Sequence, residues 1–312
     1  MDRLILTLTV NPAIDRNVTA DRLVFEDRAH IVDEYDSAGG RGINASTVLH
    51  AFGVPTLAIL PSGGATGQRL ECFLQKAGFP FEVVPVHNPI RTNLTITDQA
   101  GLTVKLNSPG PELSPEEQEA LEQAVRRRLP EASWLLLCGS LPPGVSPELY
   151  RRLIQAAHEH AVRTLVDTDG HVLQDAITGR PTTVSPNQQE AERLMNKALI
   201  TRAHFQRAAE QIKAMGAGSV MLSLGKRGAV AAHDGGVVEI IPPRITAVCP
   251  IGAGDAVNGA FVWALDRGGD FVDAARWGVA AGTASARLPG LAFANLNQAR
   301  DVYEQVEVRT VK

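Results

Sequence analysis

Residues 114–139 read SPEEQEALEQAVRRRLPEASWLLLCG and contain one complete helix–strand unit. Ser114 followed by Glu117 is a capping-box pattern, which predicts that an amphipathic helix begins there and runs over 114–129. The run WLLLCG at 134–139 is continuously apolar, as is typical of a strand buried on both faces of a parallel sheet. This unit therefore indicates an α/β protein.

The same alternation extends over most of the chain. Further apolar runs predict buried strands at 4–10, 56–61, 163–169 and 219–225. Amphipathic segments predict helices at 146–160, 187–198 and 201–215. Alternation of this kind favours a doubly wound, mostly parallel sheet that is flanked by helices.

Two more polar segments, 14–36 and 83–107, break the alternation. They contain short β-like runs, and the second has a turn signal at Gln99-Ala100-Gly101. We interpret both as antiparallel strands outside the main sheet, which could pair into a small sheet or lid. Because the chain has no internal repeat or linker, we predict a single α/β domain over 1–312, with its lid strands in these two segments.

Composition and charge exclude several classes of protein. The 312 residues are 44% hydrophobic and 21% charged, which is ordinary for a globular protein, and the net charge of −4 provides no basic field for nucleic acid. The three cysteines are far apart and form neither a disulfide framework nor a zinc site. No run approaches about 18 apolar residues, and the N-terminus resembles a first strand more than a signal peptide. We therefore predict a cytoplasmic protein without a membrane partner.

The sharpest functional signal is PIGAGDAVNGA at 250–260, a glycine-rich turn that opens a helix. Gly252 and Gly254 would let the backbone approach a phosphate, whose charge the unpaired N–H groups of the helix start would stabilise. Asp255 would lie beside that phosphate and could accept the proton of an attacking hydroxyl. The alternative is that Asp255 only caps the helix. The sequence leaves both open.

A second glycine-rich turn, GGRGIN at 39–44, also precedes a helical pattern and suits an anion, although it could be only a tight turn. Arg41 adds positive charge, and Asn44 could bind hydroxyls. The spacing Gly40-x-Gly42-x-x-Ala45 loosely matches the dinucleotide fingerprint. However, the preceding IVDEYD is too charged for the buried strand that such a site requires. GxxxxGK[ST] is absent, which excludes a P-loop.

Together, the two turns resemble those of the ribokinase/PfkB family of sugar kinases, and the resemblance covers nearly the whole chain. Further motifs follow in the family's order: TVNPAID at 9–15, GGATG at 63–67, Arg91-Thr92-Asn93, GSLPPG at 139–144, SPNQQE at 185–190 and SLGKRGA at 223–229. The chain is most similar to the hexose-phosphate branch, which comprises minor 6-phosphofructokinases, 1-phosphofructokinases and tagatose-6-phosphate kinases. The resemblance implies a ribokinase-like fold with a β lid and ATP-dependent phosphorylation of a primary hydroxyl on a ketohexose phosphate, giving a hexose bisphosphate.

The resemblance also implies roles for individual residues. Asp255 would be the catalytic base, next to an anion hole formed by Gly252, Ala253 and Gly254. The sugar and its phosphate would be bound by Asp15, Arg28, Gly39, Gly40, Asn44, Arg91 and Ser140, with Lys105 as a further candidate. ATP would contact Asn187, Ser223, Gly225 and Gly228, and Glu190 would organise Mg²⁺ through water.

ATP and Mg²⁺ are the cofactors that the resemblance implies, with a monovalent cation left open, and the family's habit of pairing lids implies a homodimer. We expect Asp255 to be ionised, because a helix N-terminus favours a carboxylate. The chain departs from the branch at Arg41, where Lys or Gly is usual, and at Val248-Cys249-Pro250, which replaces a more polar stretch. Pro250 lacks an N–H, but the amides of 252–255 stay available.

Three other functions are compatible with parts of the sequence: a kinase of an unphosphorylated sugar or nucleoside, a nucleotide-dependent oxidoreductase, and a non-catalytic sugar-binding protein. Arg91 and Arg28 would have no purpose with an unphosphorylated acceptor, and a retained Asp255 argues against a non-catalytic protein. Among the hexose phosphates, GSLPPG and GGATG favour fructose 6-phosphate. Lys105-Leu106-Asn107 and the residues after it favour fructose 1-phosphate or tagatose 6-phosphate.

Overall fold

A computed structural model describes residues 3–24 and 26–311. Its strands are β1 (Leu4–Thr9), β2 (Ala13–Ala20), β3 (Ile31–Gly39), β4 (Thr56–Ser62), β5 (Phe81–Pro85), β6 (Arg91–Asp98), β7 (Thr103–Leu106), β8 (Ala132–Cys138), β9 (Arg163–Asp167), β10 (Thr183–Val184), β11 (Ser219–Ser223), β12 (Ala229–His233), β13 (Gly236–Ile241) and β14 (Glu307–Thr310). Its helices are α1 (Arg41–Ala51), α2 (Gly64–Ala77), α3 (Pro115–Arg128), α4 (Leu149–Glu159), α5 (Gly170–Thr178), α6 (Gln188–Met195), α7 (Arg202–Ala214), α8 (Ala253–Asp266), α9 (Phe271–Ser285) and α10 (Leu296–Tyr303). None of the helices in these two stretches is long and apolar enough to cross a membrane.

The large sheet has the strand order β14-β13-β12-β11-β10-β9-β8-β1-β4-β5. The strands from β5 to β11 in that order are parallel, and β12, β13 and β14 add an antiparallel edge. All five apolar runs that the sequence analysis identified lie in this sheet, as β1, β4, β8, β9 and β11. The predicted doubly wound α/β fold is therefore confirmed.

The continuous apolar character of β8 reflects burial on both faces of the sheet. Trp134 and Leu136 pack in one hydrophobic cluster, and Leu135 and Leu137 pack in another. All four side chains are fully buried. Because successive side chains of a strand point to opposite faces, a strand covered by helices on both sides directs all its side chains into the core, which favours apolar residues.

Helix α3 begins where the sequence places it. The Ser114 side chain accepts a hydrogen bond from the Glu117 amide over 3.2 Å, and the Glu117 carboxylate accepts one from the Ser114 amide over 2.8 Å. This reciprocal pair satisfies two amides that have no partner inside the helix. The capping-box prediction is confirmed.

The small sheet has the order β3-β2-β6-β7 and lies apart from the large one. Two details of the sequence interpretation are wrong. Residues 83–85 belong to β5, at the edge of the large sheet, where they pair with β4. In addition, β2 and β6 are parallel, and only the outer pairs are antiparallel. The chain crosses to the large sheet and returns between β2 and β6, and such a crossover permits parallel pairing.

The topology determines where a ligand can bind. Strand β1 lies between β8 and β4, and the chain continues from it first toward β5 and later, through β8, toward β14. In open α/β sheets, ligands bind at the carboxyl ends of the strands at such a reversal of strand order. The loops after β1 and β8 meet there with the start of α8 and with the small sheet.

The close packing of α8 on α9 provides a test of this architecture. A Cβ atom added to Gly282 would lie 2.8 Å from the Ala253 carbonyl oxygen and 2.7 Å from Val257 Cγ2, so Gly282→Ala would overpack the start of α8. We expect a loss of about 1–3 kcal/mol in the free energy of unfolding, measured by urea denaturation. Thr283→Ala, at the next and only partly buried position, should change it little. An unchanged midpoint for Gly282→Ala would contradict the packing.

Candidate active site

A cavity of about 860 Å³ lies at the carboxyl edge of the large sheet and is bounded on its other side by the small sheet. This is a normal size for a small-molecule site. Many of the residues that the sequence predicted to bind substrate or catalyse line it: Asp15, Gly40, Asn44, Arg91, Ser140, Gly252 and Asp255. The fold thus brings together residues that are up to 240 positions apart in the chain.

Asp255 is the third residue of α8 and is buried. Its Oδ2 accepts a hydrogen bond from Asn44 Nδ2 over 2.6 Å. The N-cap of α8 is Gly252, with a φ of 78°, and no side chain caps this helix. The capping alternative for Asp255 is therefore not supported. The carboxylate is held by a side-chain amide from α1 and lines the cavity.

The environment of Asp255 raises its pKa from the ordinary value near 3.8 to about 7. Burial is the largest cause, and the negative charge of Asp167 adds to it. The hydrogen bond from Asn44 and the charge of Arg41 act in the opposite direction but do not cancel these effects. Burial therefore outweighs the helix N-terminus in the ligand-free protein, and the ionisation expected of Asp255 as the base stays a prediction.

The sequence analysis missed two polar residues next to Asp255. Asp167 ends β9, and its Oδ2 accepts a hydrogen bond from Asn258 Nδ2 over 2.9 Å. Its Oδ1 accepts one from Arg41 Nη1 over 2.6 Å. Two signals could have identified them. The first is that Asp167 lies near the carboxyl end of the predicted buried strand at 163–169. The second is that Asn258 follows Asp255 by three positions, which places both side chains on one face of a helix.

Asp15 and its neighbours form the part of the cavity that the small sheet supplies. Asn93 on β6 lies opposite Asp15 on β2 and donates a hydrogen bond to Asp15 Oδ1 over 2.8 Å. A Cβ atom on Gly39 would lie 2.5 Å from the Asp15 carboxyl group, so this position requires glycine. Burial raises the pKa of Asp15, although Asn93 and Arg91 oppose the shift. The result is a fixed acceptor group suited to hydroxyls.

Arg91 is held near the same end of the cavity by two carbonyl groups. Its Nη1 donates to the Ser108 oxygen over 2.8 Å and its Nη2 to the Asn11 oxygen over 2.9 Å. Its Nε is buried and has no hydrogen-bond partner within the described residues. No carboxylate there forms an ion pair with it, and burial lowers its pKa. A partly buried guanidinium that no carboxylate contacts directly favours an anionic ligand.

Glu190 and Asn187 cap α6 on the other side of Asp167. The Glu190 amide donates to Asn187 Oδ1 over 3.0 Å, and the Asn187 amide donates to Glu190 Oε2 over 2.8 Å. Glu190 Oε1 accepts a hydrogen bond from Arg41 Nη2 over 2.9 Å. Asn187 is also bridged to Ser223 at the end of β11. The predicted nucleotide residues therefore continue outward from the buried carboxylates.

The other predicted residues are placed as follows. Gly225 and Gly228 flank a short turn after β11, and a Cβ atom on Gly228 would lie 2.0 Å from the Ile240 oxygen, so packing alone requires that glycine. Gly254 faces open space. Arg28 lies in the exposed loop between β2 and β3 and does not line the cavity. The ligand contacts of all these residues stay predictions.

Comparison with known proteins agrees with this geometry. Residues 9–298 match the model of the family described as pfkB family carbohydrate kinase. The chain is 31% identical over 302 residues to the ATP-dependent 6-phosphofructokinase isozyme 2 of Escherichia coli, covering 96% of this chain and 97% of that one. It is 30% identical to the 1-phosphofructokinase of Borreliella burgdorferi, covering 91% and 92%. The crystal structure of Escherichia coli phosphofructokinase-2 in complex with potassium superposes with a TM-score of 0.91, over 98% of this chain and 99% of that one, at 31% identity.

The ionisation of Asp255 can be measured directly in the ligand-free protein. Carboxyl ¹³C NMR should report a pKa of about 7 for Asp255. Asp167→Asn removes a like charge and should lower that pKa, whereas Asn44→Ala removes a hydrogen bond to the carboxylate and should raise it. Asp36→Asn, in the small sheet, should have no effect. A pKa near 4 for Asp255, or equal shifts for all variants, would contradict this account.

Proposed function

This chain belongs to the pfkB family of carbohydrate kinases and is an ATP-dependent kinase of a hexose phosphate, and we propose that its acceptor is fructose 6-phosphate. The single observation that carries the proposal is that one cavity holds both Asp255 and Arg91. The first can take a proton from a hydroxyl, and the second can hold a phosphate already on the sugar. The full-length similarity to a 6-phosphofructokinase favours fructose 6-phosphate over the other ketohexose phosphates.

We propose that each side chain has one role in the transfer. Asp255 accepts the proton of the primary hydroxyl as that oxygen attacks the γ-phosphorus of ATP, whose bond to the oxygen of ADP breaks as ADP leaves. Asn44 orients the carboxylate through its 2.6 Å hydrogen bond. Asp15 binds sugar hydroxyls, and Arg91 binds the phosphate of the acceptor. The backbone amides of 252–254, at the start of α8, stabilise negative charge on the transferring group.

The oxidoreductase alternative is not supported. A dinucleotide fingerprint must follow a buried parallel strand, but Gly40 and Gly42 follow β3, a strand of the small sheet that is largely exposed. An unphosphorylated acceptor would leave the partly buried Arg91 guanidinium with two neutral carbonyl groups as its hydrogen-bond partners. Both observations favour a phosphorylated sugar.

A kinase of this family uses ATP and a divalent metal ion, and we propose that the ion is Mg²⁺. Bound to the ATP phosphates, Mg²⁺ would neutralise part of their charge. Direct coordination by Glu190 would compete with two hydrogen bonds, because its oxygens already accept one from Arg41 and one from the Asn187 amide. Contact with Glu190 through water is consistent with this arrangement. A monovalent cation and a cytoplasmic location stay predictions.

We further propose a homodimer that forms through the small sheet. Large apolar side chains are exposed on its outer strands and the turn beside them: Ile31, Val32, Tyr35, Leu102, Val104 and Leu106. Exposed apolar residues gathered on one sheet are typical of a protein contact surface. A second copy would also cover the open edges of β3 and β7, which otherwise present unpaired backbone groups.

Asp255→Asn tests the role of the base. We expect kcat to fall by about 10²–10⁴-fold, because an amide cannot accept the hydroxyl proton, while the KM for ATP changes little. Thermal stability should not fall, because burial disfavours the charge that is removed. In the wild type, kcat/KM should decrease as the pH drops below about 7. Asp270→Asn, at the exposed N-cap of α9, is the control, and near-normal turnover of Asp255→Asn would exclude it as the base.

Arg91→Ala tests the acceptor. With ATP and Mg²⁺, wild type should have its highest kcat/KM for fructose 6-phosphate in a panel that also holds fructose 1-phosphate, tagatose 6-phosphate, free fructose and ribose. The variant should raise the KM for the sugar phosphate by about 10–100-fold, the value of a lost charged hydrogen bond, without changing the KM for ATP. Arg91→Lys should be intermediate, because it keeps the charge but loses the fork. Preference of the wild type for a free sugar would overturn the proposal.

Size-exclusion chromatography with light scattering tests the dimer. Val104→Asp combined with Leu106→Asp should shift the protein from dimer to monomer, because both side chains are exposed on β7. Ile200→Asp is the matched control, since Ile200 is even more exposed, at 76%, but lies between α6 and α7. A wild type that is monomeric at micromolar concentration would refute the proposal.

A further inference from the structure

Arg41 connects two buried carboxylates that belong to different elements. Its Nη1 donates to Asp167 Oδ1 over 2.6 Å, and its Nη2 donates to Glu190 Oε1 over 2.9 Å. Each terminal nitrogen serves one carboxylate, so the positive charge lies between the two. The side chains of Asp167 and Glu190 are 7% and 3% exposed, whereas that of Arg41 is 35% exposed. The guanidinium therefore stands between the carboxylates and solvent.

The backbone that carries Arg41 is fixed on both sides. Gly40 has a φ of 147°, and a Cβ atom there would lie 2.7 Å from Thr9 Cγ2. A Cβ atom on Gly42 would lie 2.6 Å from Thr9 Oγ1. The start of α1 therefore rests directly on the end of β1. The position of the Arg41 side chain follows from this packing rather than from a loop that could rearrange freely.

The remaining oxygen of each carboxylate also accepts a hydrogen bond. Asp167 Oδ2 accepts a hydrogen bond from Asn258, and Glu190 Oε2 accepts one from the Asn187 amide. Mg²⁺ binds carboxylate oxygens directly at about 2.0–2.1 Å. A metal ion that bridged Asp167 and Glu190 would have to displace the guanidinium. Within the described residues, no group of three or more Asp, Glu, His or Cys side chains is arranged to hold a metal ion.

The charge balance explains the arrangement. Two buried carboxylates without a counterion are strongly unfavourable, and a guanidinium keeps its charge at any ordinary pH. Asp167 and Glu190 raise the pKa of Arg41 even further, with Asp167 contributing most. A divalent cation would supply positive charge at the same oxygens. Removing Arg41 should therefore turn the pair into a metal site.

We propose that Arg41 is a built-in cation that takes the place of a divalent ion between Asp167 and Glu190, so that this chain binds no divalent ion directly at these two carboxylates. The proposal rests on the proposed function, because it assigns the cluster to the site of phosphoryl transfer. It makes Arg41 a positioning residue, which holds the two carboxylates in place and keeps a metal ion from binding between them.

The test measures Mn²⁺ binding to the nucleotide-free protein. Binding is detected as the loss of the electron paramagnetic resonance signal of the free ion. Wild type should show no saturable site below millimolar Mn²⁺. Arg41→Ala should gain one saturable site whose Kd lies at least about tenfold below that millimolar limit. Its melting temperature should also rise when Mn²⁺ is added. Arg41→Gln, which is less disruptive, should show the same gain. If both variants need metal in order to fold, millimolar Mn²⁺ should rescue them.

Two control variants separate a specific site from a general loss of arginine. Arg202 is also the first residue of a helix, α7, and pairs with the buried carboxylate of Glu239. Arg202→Ala should therefore gain no Mn²⁺ site of comparable affinity, because Arg202 pairs with one carboxylate among the described residues, whereas Arg41 pairs with two. Adding Asp167→Asn to Arg41→Ala should abolish the new site.

Several results would overturn the proposal. They are Mn²⁺ binding by wild type as tight as that of Arg41→Ala, no gain in either Arg41 variant, and a gained site that survives Asp167→Asn. Failure of Mn²⁺ to rescue unfolded Arg41 variants would also overturn it. Since no sugar or nucleotide is present, these results are independent of the acceptor panel that tests the proposed function.

Discussion

Three carboxylates, those of Asp255, Asp167 and Glu190, are buried at the carboxyl edge of the large sheet, and the rest of the site depends on how their charges are compensated. The Arg41 guanidinium donates hydrogen bonds to Asp167 and Glu190. The side-chain amides of Asn258 and Asn44 donate to Asp167 and Asp255, respectively. An unpaired buried charge is among the most unfavourable features that a fold can contain. The elements that supply these groups therefore have to be positioned together: α1, β9, α6 and α8. Their backbone packing restricts how far they can move relative to one another.

The same compensation determines the chemistry of the base. One positive charge among three acidic groups leaves the cluster short of positive charge, and the proton that Asp255 retains up to a pH of about 7 makes up the difference. A general base with a pKa near the operating pH is well matched to its task, since a substantial fraction is deprotonated and the group still binds a proton effectively. Stability of the cluster and reactivity of Asp255 therefore have a common origin in the buried charges.

The opposite end of the cavity depends on the small sheet. Asp15 and Asn93 are brought into contact by the parallel register of β2 and β6, and Gly39 lets the backbone of β3 lie against the Asp15 carboxyl group. Arg91 begins β6 and reaches two loop carbonyls. The acceptor residues are thus carried by a sheet that has its own exposed apolar surface, so that acceptor binding and association of subunits would involve the same sheet.

The sequence by itself determined the fold class, because continuous apolar runs such as WLLLCG can be buried only in a sheet covered on both faces. It also indicated Asp255 and the two glycine-rich turns, since glycine spacing and helix starts are local features. Only the tertiary structure decided that residues 83–85 join the large sheet, that Asp255 is not a helix cap, and that its pKa is raised. Only the tertiary structure revealed the part played by Asp167, Asn258 and Arg41. The physical reason is that burial and charge–charge interactions depend on distances between residues far apart in the chain, which no local pattern records.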